Sequence, residues 1–278
     1  QNQTVVLSLA PRGATITDLH TAWDARRRVL TITVAGGGTL SGGGPGVTVN
    51  AAARTVSVRL DAFTTFAGIA VSGGVGADSV TIGRQGVNLA AVTAGAANQA
   101  FIVDTGTAAG DRLVIGGPVT TKGTADAHFT SGGIGLAAPV RTPGGWQSYT
   151  GDVTLVNDVG LTVGGTLMFG GRIDGRRAMS VDAGGAVLFF QTVGARSPLT
   201  GLTIARAYMV SFARGLALDG TGTAAGSSGL TIGRGVNNVF FSALGSGGTR
   251  TIENFSGSGI RFLGGSTGST LTGIISRR

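Results

Sequence analysis

Aspartate is the residue type here most able to do acid–base work, and four aspartates flank two apparent strands. Asp152 and Asp158 bracket Val153–Leu155, while Asp174 and Asp182 bracket Met179–Val181. Glycoside chemistry needs two carboxylates converging across a cleft. None of these spacings singles out a pair, and each Asp falls near an expected turn, where it bonds its own backbone. Gly73-Gly74-Val75-Gly76-Ala77-Asp78-Ser79-Val80-Thr81 fits the G-G-x-G-x-D-x-U-x calcium nonapeptide once. Calcium takes about 6–8 oxygens, so one copy with one carboxylate does not complete a site. Asp78 is therefore expected in a glycine-rich turn before a strand. His20 and His128 are the only histidines, and neither has a second His or a carboxylate at metal-ligand spacing. No G-x-S-x-G elbow accompanies them. No cofactor and no metal are expected, and the reading is non-enzymatic.

Binding chemistry is better represented. Arg172, Arg176 and Arg177 form a dense basic spot, a candidate patch for an anionic glycan or cell-surface polymer, and Arg26-Arg27-Arg28 forms another. Solvated turns would look the same, because charge normally sits on the surface. Trp146 and Tyr149 stand close together among few aromatics, as a sugar platform or as the cover of a strand start. The chain carries +8 net charge from 21 Lys+Arg against 13 Asp+Glu, but Lys122 is the only lysine and the arginines are scattered. Nucleic-acid binding calls for clustered basic residues with interleaved aromatics, so it is not expected.

The elements that must hold these residues are strands. Glycine supplies 52 of 278 residues and sits between short runs of Val, Leu, Ile, Phe and Thr. Glycine or a β-branched residue interrupts almost every helical window. Cysteine is absent, which excludes a disulfide framework and Cys-ligated metal. No run of 18 apolar residues occurs, so no transmembrane helix is expected. Charged residues make up 12%, a low share that leaves a surface of Thr, Ser, Gly and Ala and favours association between copies.

A repeat organises the second half. Leu167–Gly175 aligns with Val187–Ala195 at an offset of 20, pairing Leu167 with Val187, Phe169 with Phe189 and Ile173 with Val193. That offset lies within the roughly 18–25 residues of one turn of a parallel β-helix, where inward residues of successive turns stack. These six residues are the expected core stack. Thr105–Gly110 also recurs as Thr221–Gly226. The first sixty residues differ. Asp24–Val34 parallels Asn50–Leu60, with Leu30, Ile32 and Val34 alternating like Val56, Val58 and Leu60 after an Asp/Asn-Ala-x-x-Arg turn.

Trp146-Gln147-Ser148-Tyr149-Thr150-Gly151-Asp152-Val153-Thr154-Leu155 resembles the Q-T-Y-x-G-x-V-T-L element of bacterial β-strand-repeat surface proteins, of the filamentous-haemagglutinin-like adhesin and autotransporter-passenger type. Leu167, Phe169, Gly171, Ile173-Asp174-Gly175, Met179, Val181, Gly185, Phe189, Val193-Gly194, Leu199 and Leu202 follow in the order that such repeats show. The resemblance implies a right-handed parallel β-helix, export to the bacterial cell surface, and adhesive or scaffolding use.

The expected fold is thus all-β: a right-handed parallel β-helix (β-solenoid) over 67–278, with a strand–turn–strand module or cap over 1–66 and a sub-boundary near 138–145. The expected role is a secreted structural subunit that self-associates into an extracellular fibre or surface layer. An adhesin or glycan-binding passenger fragment is the alternative, and a β-helix polysaccharide-degrading enzyme is the more remote one.

Overall fold

A computed structural model describes residues 3–8, 15–37, 46–60, 66–93, 98–218, 229–241, 252–254 and 261–262. The described residues form strands and turns, with no helix, and the sheet is largely parallel. The second copy of the hexapeptide, 221–226, lies outside them.

Alternation of inward apolar and outward polar residues makes each strand, and glycine-rich corners end it. Strands then stack in three rows. The first row runs through Phe66–Ser72, Ala100–Asp104, Ala127–Thr130, Gln147–Thr150, Leu167–Phe169, Ala186–Phe189 and Met209–Phe212, each parallel to the next. A second row joins Ser79–Ile82, Arg112–Ile115, Gly133–Leu136, Asp152–Leu155 and Ile173–Asp174. A third joins Val87–Asn88, Val119–Thr120, Val140–Thr142, Val159–Val163, Ala178–Ala183 and Gly201–Arg206. The chain visits the rows in that order and returns to the first. Ala127, Gln147, Leu167 and Val187 therefore occupy one register column, 20 residues apart. Val140–Thr142, inside the sequence boundary near 138–145, pairs on both sides within the third row.

One hydrophobic cluster draws residues from all three rows, and all six residues of the expected stack belong to it. Leu167 lies opposite Val187 and Phe169 opposite Phe189, while Ile173 bridges to Val193. An aromatic column runs through the core. Phe129 and Tyr149 have ring centroids 5.2 Å apart, Tyr149 and Phe169 4.8 Å, Phe169 and Phe189 5.5 Å, and Phe189 and Phe212 4.8 Å, all stacked. A parallel, in-register ladder places identical positions one strand spacing apart, and that spacing is close to what stacked rings prefer.

Residues 15–36 and 47–59 build the antiparallel part. Thr15–Asp24 pairs with Val29–Gly36, which pairs with Thr55–Arg59, which pairs with Val47–Asn50. The two turns are equivalent. Asp24 Oδ1 accepts the N–H groups of Arg26 and Arg27 at 3.0 Å, and Asn50 Oδ1 accepts that of Ala53 at 2.9 Å. The last loop residues, Arg28 and Arg54, are left-handed with φ of 53° and 52°. Four-residue loops commonly end this way to match strand twist. Leu30, Ile32, Val34, Val56, Val58 and Leu60 are all buried in the same cluster as the parallel rows. Thr15–Asp24 also pairs in parallel with Ser79–Ile82, and Gln3–Ser8 with Phe66–Ser72. This segment thus shares both core and ladder with the residues beyond 66.

Candidate functional site

The aspartates that composition offers for catalysis are set one per corner. Asp126 Oδ1 accepts Trp146 N–H at 2.7 Å, Asp152 Oδ1 accepts Arg172 N–H at 3.0 Å, and Asp158 Oδ1 accepts Ala178 N–H at 2.8 Å. Each bond spans 20 residues, so each carboxylate staples its corner to the equivalent corner of the next level. Asp174 Oδ1 does the same for Arg196 N–H at 2.9 Å and Ser197 N–H at 3.2 Å. Corner N–H groups leave the ladder and need another acceptor, which a charged carboxylate supplies strongly. Asp182 instead takes Arg206 Nε at 2.7 Å. The pairs Asp152/Asp158 and Asp174/Asp182 therefore serve four separate contacts.

Asp78 is buried, as is Asp111 one level along. Asp78 Oδ2 accepts Gly74 N–H at 2.7 Å, Asp78 N–H donates to Asp111 Oδ1 at 3.0 Å, and Asp111 Oδ2 accepts Ala108 N–H at 2.8 Å. The nonapeptide carboxylate is thus turned inward, onto its own glycine loop. Among the described residues, no three His, Asp or Glu side chains gather as a metal set.

The basic spot divides. Arg172 Nη2 lies 2.7 Å from Asp152 Oδ2, and Arg172 Nε lies 3.1 Å from the same oxygen. The hydrogen bond from this guanidinium holds the Asp152 carboxyl below the usual carboxylate range, against a smaller opposing effect of burial. Arg176 and Arg177 are exposed. Arg177 Nε donates to Val156 O at 3.0 Å, and exposed Arg196 follows at the next corner.

Trp146 and Tyr149 part company. Trp146 is 52% exposed, with its indole against Gly165. Tyr149 points inward and is fully buried, which pushes its phenol strongly up in pKa. Its hydroxyl donates to Gln147 Oε1 at 3.1 Å. Gln147 is also buried, and its Nε2 reaches Thr162 O at 3.0 Å and Val140 O at 3.1 Å. This network ties the first row to the third through the core.

One constellation escapes sequence inspection. His128 Nδ1 lies 2.7 Å from Ser148 Oγ, and His128 Nε2 lies 3.5 Å from Asp126 Oδ2. The sequence signal is the 20-residue offset from His128 to Ser148. These are the residue types of a nucleophile, base and orienting acid. Acyl transfer also requires N–H donors aimed at an oxyanion. The strand Gln147–Leu155 is paired on both sides, and Gln147 N–H donates to Thr166 O at 3.0 Å. The donors beside Ser148 are committed to the ladder, so the geometry is that of an outward polar file.

The outer faces differ in charge. The first-row segments 146–150, 166–170, 186–190, 208–212 and 238–241 contain no Asp, Glu, Lys, Arg or His. Asp152, Asp158, Arg172, Asp174, Arg176, Arg177, Asp182, Arg196, Arg206, Arg214, Asp219 and Arg234, all the charges between 146 and 241, fall outside them.

An all-β chain with a largely parallel, in-register sheet is the class that this architecture defines. No protein-family model, no curated protein and no solved structure matches the chain.

Proposed function

We propose that the chain is a structural right-handed parallel β-helix, exported to the bacterial cell surface, whose copies associate into a fibre or surface layer. The observation that carries this reading is the 20-residue staple. Asp126, Asp152 and Asp158 each bond a backbone N–H of the next level. Together with the aromatic column, they place carboxylates and aromatics in the service of rigidity along one direction. The resemblance of Trp146–Ile204 to β-strand-repeat surface proteins supports export and scaffolding. In the proposed assembly a neighbour's strand continues the ladder, because unpaired strand edges recruit further strands. Electron microscopy of purified protein tests this. Filaments or ordered sheets are expected, and monomers alone at high concentration overturn it.

The exposure of Arg176, Arg177 and Arg196 at neighbouring corners favours a second reading, an adhesin or glycan-binding passenger fragment. In that case an anionic glycan binds, and R176A/R177A abolishes binding. Arg172 contributes less to that reading, because Asp152 already neutralises it.

A further inference from the structure

We infer that the outer face of the first row over residues 146–241, whose row segments carry no charged residue, is a lateral contact between two copies of this chain, an inference that rests on the self-association reading and specifies its side-to-side arm. Ser148, Met168, Leu188, Ser211 and Phe240 form one continuous register column on this face. Phe240 is 48% exposed, and Trp146 and Tyr208, 52% and 63% exposed, stand at the margin where each level enters the row. Met168 and Leu188 are half-buried and face outward between Phe169 and Phe189 on their inward-facing neighbours.

Charge decides the occupant. The molecule carries +8 overall, so two copies repel one another wherever their basic corners meet. The segments of this face over 146–241 hold none of that charge, although the same row continues on its other side into His128 and Asp104. Two copies that meet here bury no ion and place no like charges opposite one another, whereas a highly charged partner would find nothing to pair with. A flat, twofold-related contact also needs the same patch to be complementary to itself, and Trp, Tyr, Met and Leu beside Ser and Thr meet that requirement.

Size decides the strength. Five strands at about 4.8 Å spacing and five residues at about 3.3 Å each span roughly 20 by 16 Å, or about 300 Å² per copy. Two copies then bury about 600 Å², below the roughly 1,200 Å² of a stable isolated interface. The contact is weak between single molecules. It becomes strong between filaments, where it repeats along the axis and each engaged copy raises the effective concentration of the next.

Sedimentation equilibrium and electron microscopy test this on the full chain. Wild-type protein is expected to form a reversible dimer, weakened at least about tenfold by L188K, which sets like charges opposite one another. T154K, on the exposed outer side of the second row, is the control and leaves the dimer within about twofold. Circular dichroism melts confirm that both variants fold. In micrographs, L188K is expected to keep single filaments and lose side-by-side pairs. Wild-type filaments that never pair, or equal weakening by T154K, overturn the lateral contact while leaving the end-to-end reading intact. Dimers sensitive to L188K without any filaments leave this contact standing and overturn the filament.

Discussion

Phe169 and Phe189 stack with centroids 5.5 Å apart and planes 3° from parallel, although twenty residues of chain separate them. Both are buried, and each has another ring on its far side, Tyr149 below and Phe212 above. Truncating Phe169 leaves a cavity that neighbouring levels cannot collapse to fill, because their backbones are bonded in register. F169A is expected to cost about 3–5 kcal/mol, and F169L clearly less. Urea unfolding followed by circular dichroism measures both.

Gly151 turns the corner between the first and second rows at φ +122°, and a Cβ there would strike the carbonyl oxygen of Ser131. L residues rarely adopt this conformation, and the obstacle is backbone. G151A is therefore expected to destabilise by at least about 2 kcal/mol. A thermal melt unchanged from wild type would contradict the assigned corner.

Asp158 accepts the Ala178 N–H at an exposed corner. D158A removes the acceptor and is expected to cost about 1 kcal/mol, while D158N retains a carbonyl oxygen and loses less. Hydrogen exchange at Ala178 localises the effect. Its amide should exchange faster in D158A than in wild type, with amides of the aromatic column unaffected.

Asp152 gives a pH dependence. Its folded pKa lies below the unfolded value of about 3.9, so its contribution is fully present above that pH and is lost as pH falls through the folded pKa. Both partners of the pair are more than a third exposed, so solvent screening keeps the contribution small. D152N is expected to be less stable than wild type at pH 7, with the gap narrowing as pH falls below the unfolded value of about 3.9. Chemical denaturation across that range reads the difference.

Gln147 and Tyr149 form a coupled buried pair. Q147L leaves the Tyr149 hydroxyl without its acceptor and removes two bonds to main-chain carbonyls, for about 2–3 kcal/mol. Y149F strands only one oxygen and costs about 1 kcal/mol. The double variant should cost less than the sum, because the second change removes a group that the first left unsatisfied. A double-mutant cycle that closes to zero coupling would exclude the network.

Local alternation and a constant offset were readable from the chain alone. Leu167/Val187, Phe169/Phe189 and Ile173/Val193 appear in sequence because inward residues alternate and the levels from 127 to 187 have equal length. The all-β class and the turn chemistry of Asp24 and Asn50 follow from equally local rules. The uses of the polar residues did not follow. Asp152 reads as half of an acid pair and turns out to hold Arg172, Trp146 and Tyr149 look like one platform and point in opposite directions, and Ser148 meets His128 only once two levels are stacked. The segregation of charge from the first-row segments beyond 146 is likewise a property of the rows. Side-chain period along a strand is set by neighbours in the chain, whereas which corner faces which depends on how unequal loops bring distant strands into register, and only the assembled backbone decides that.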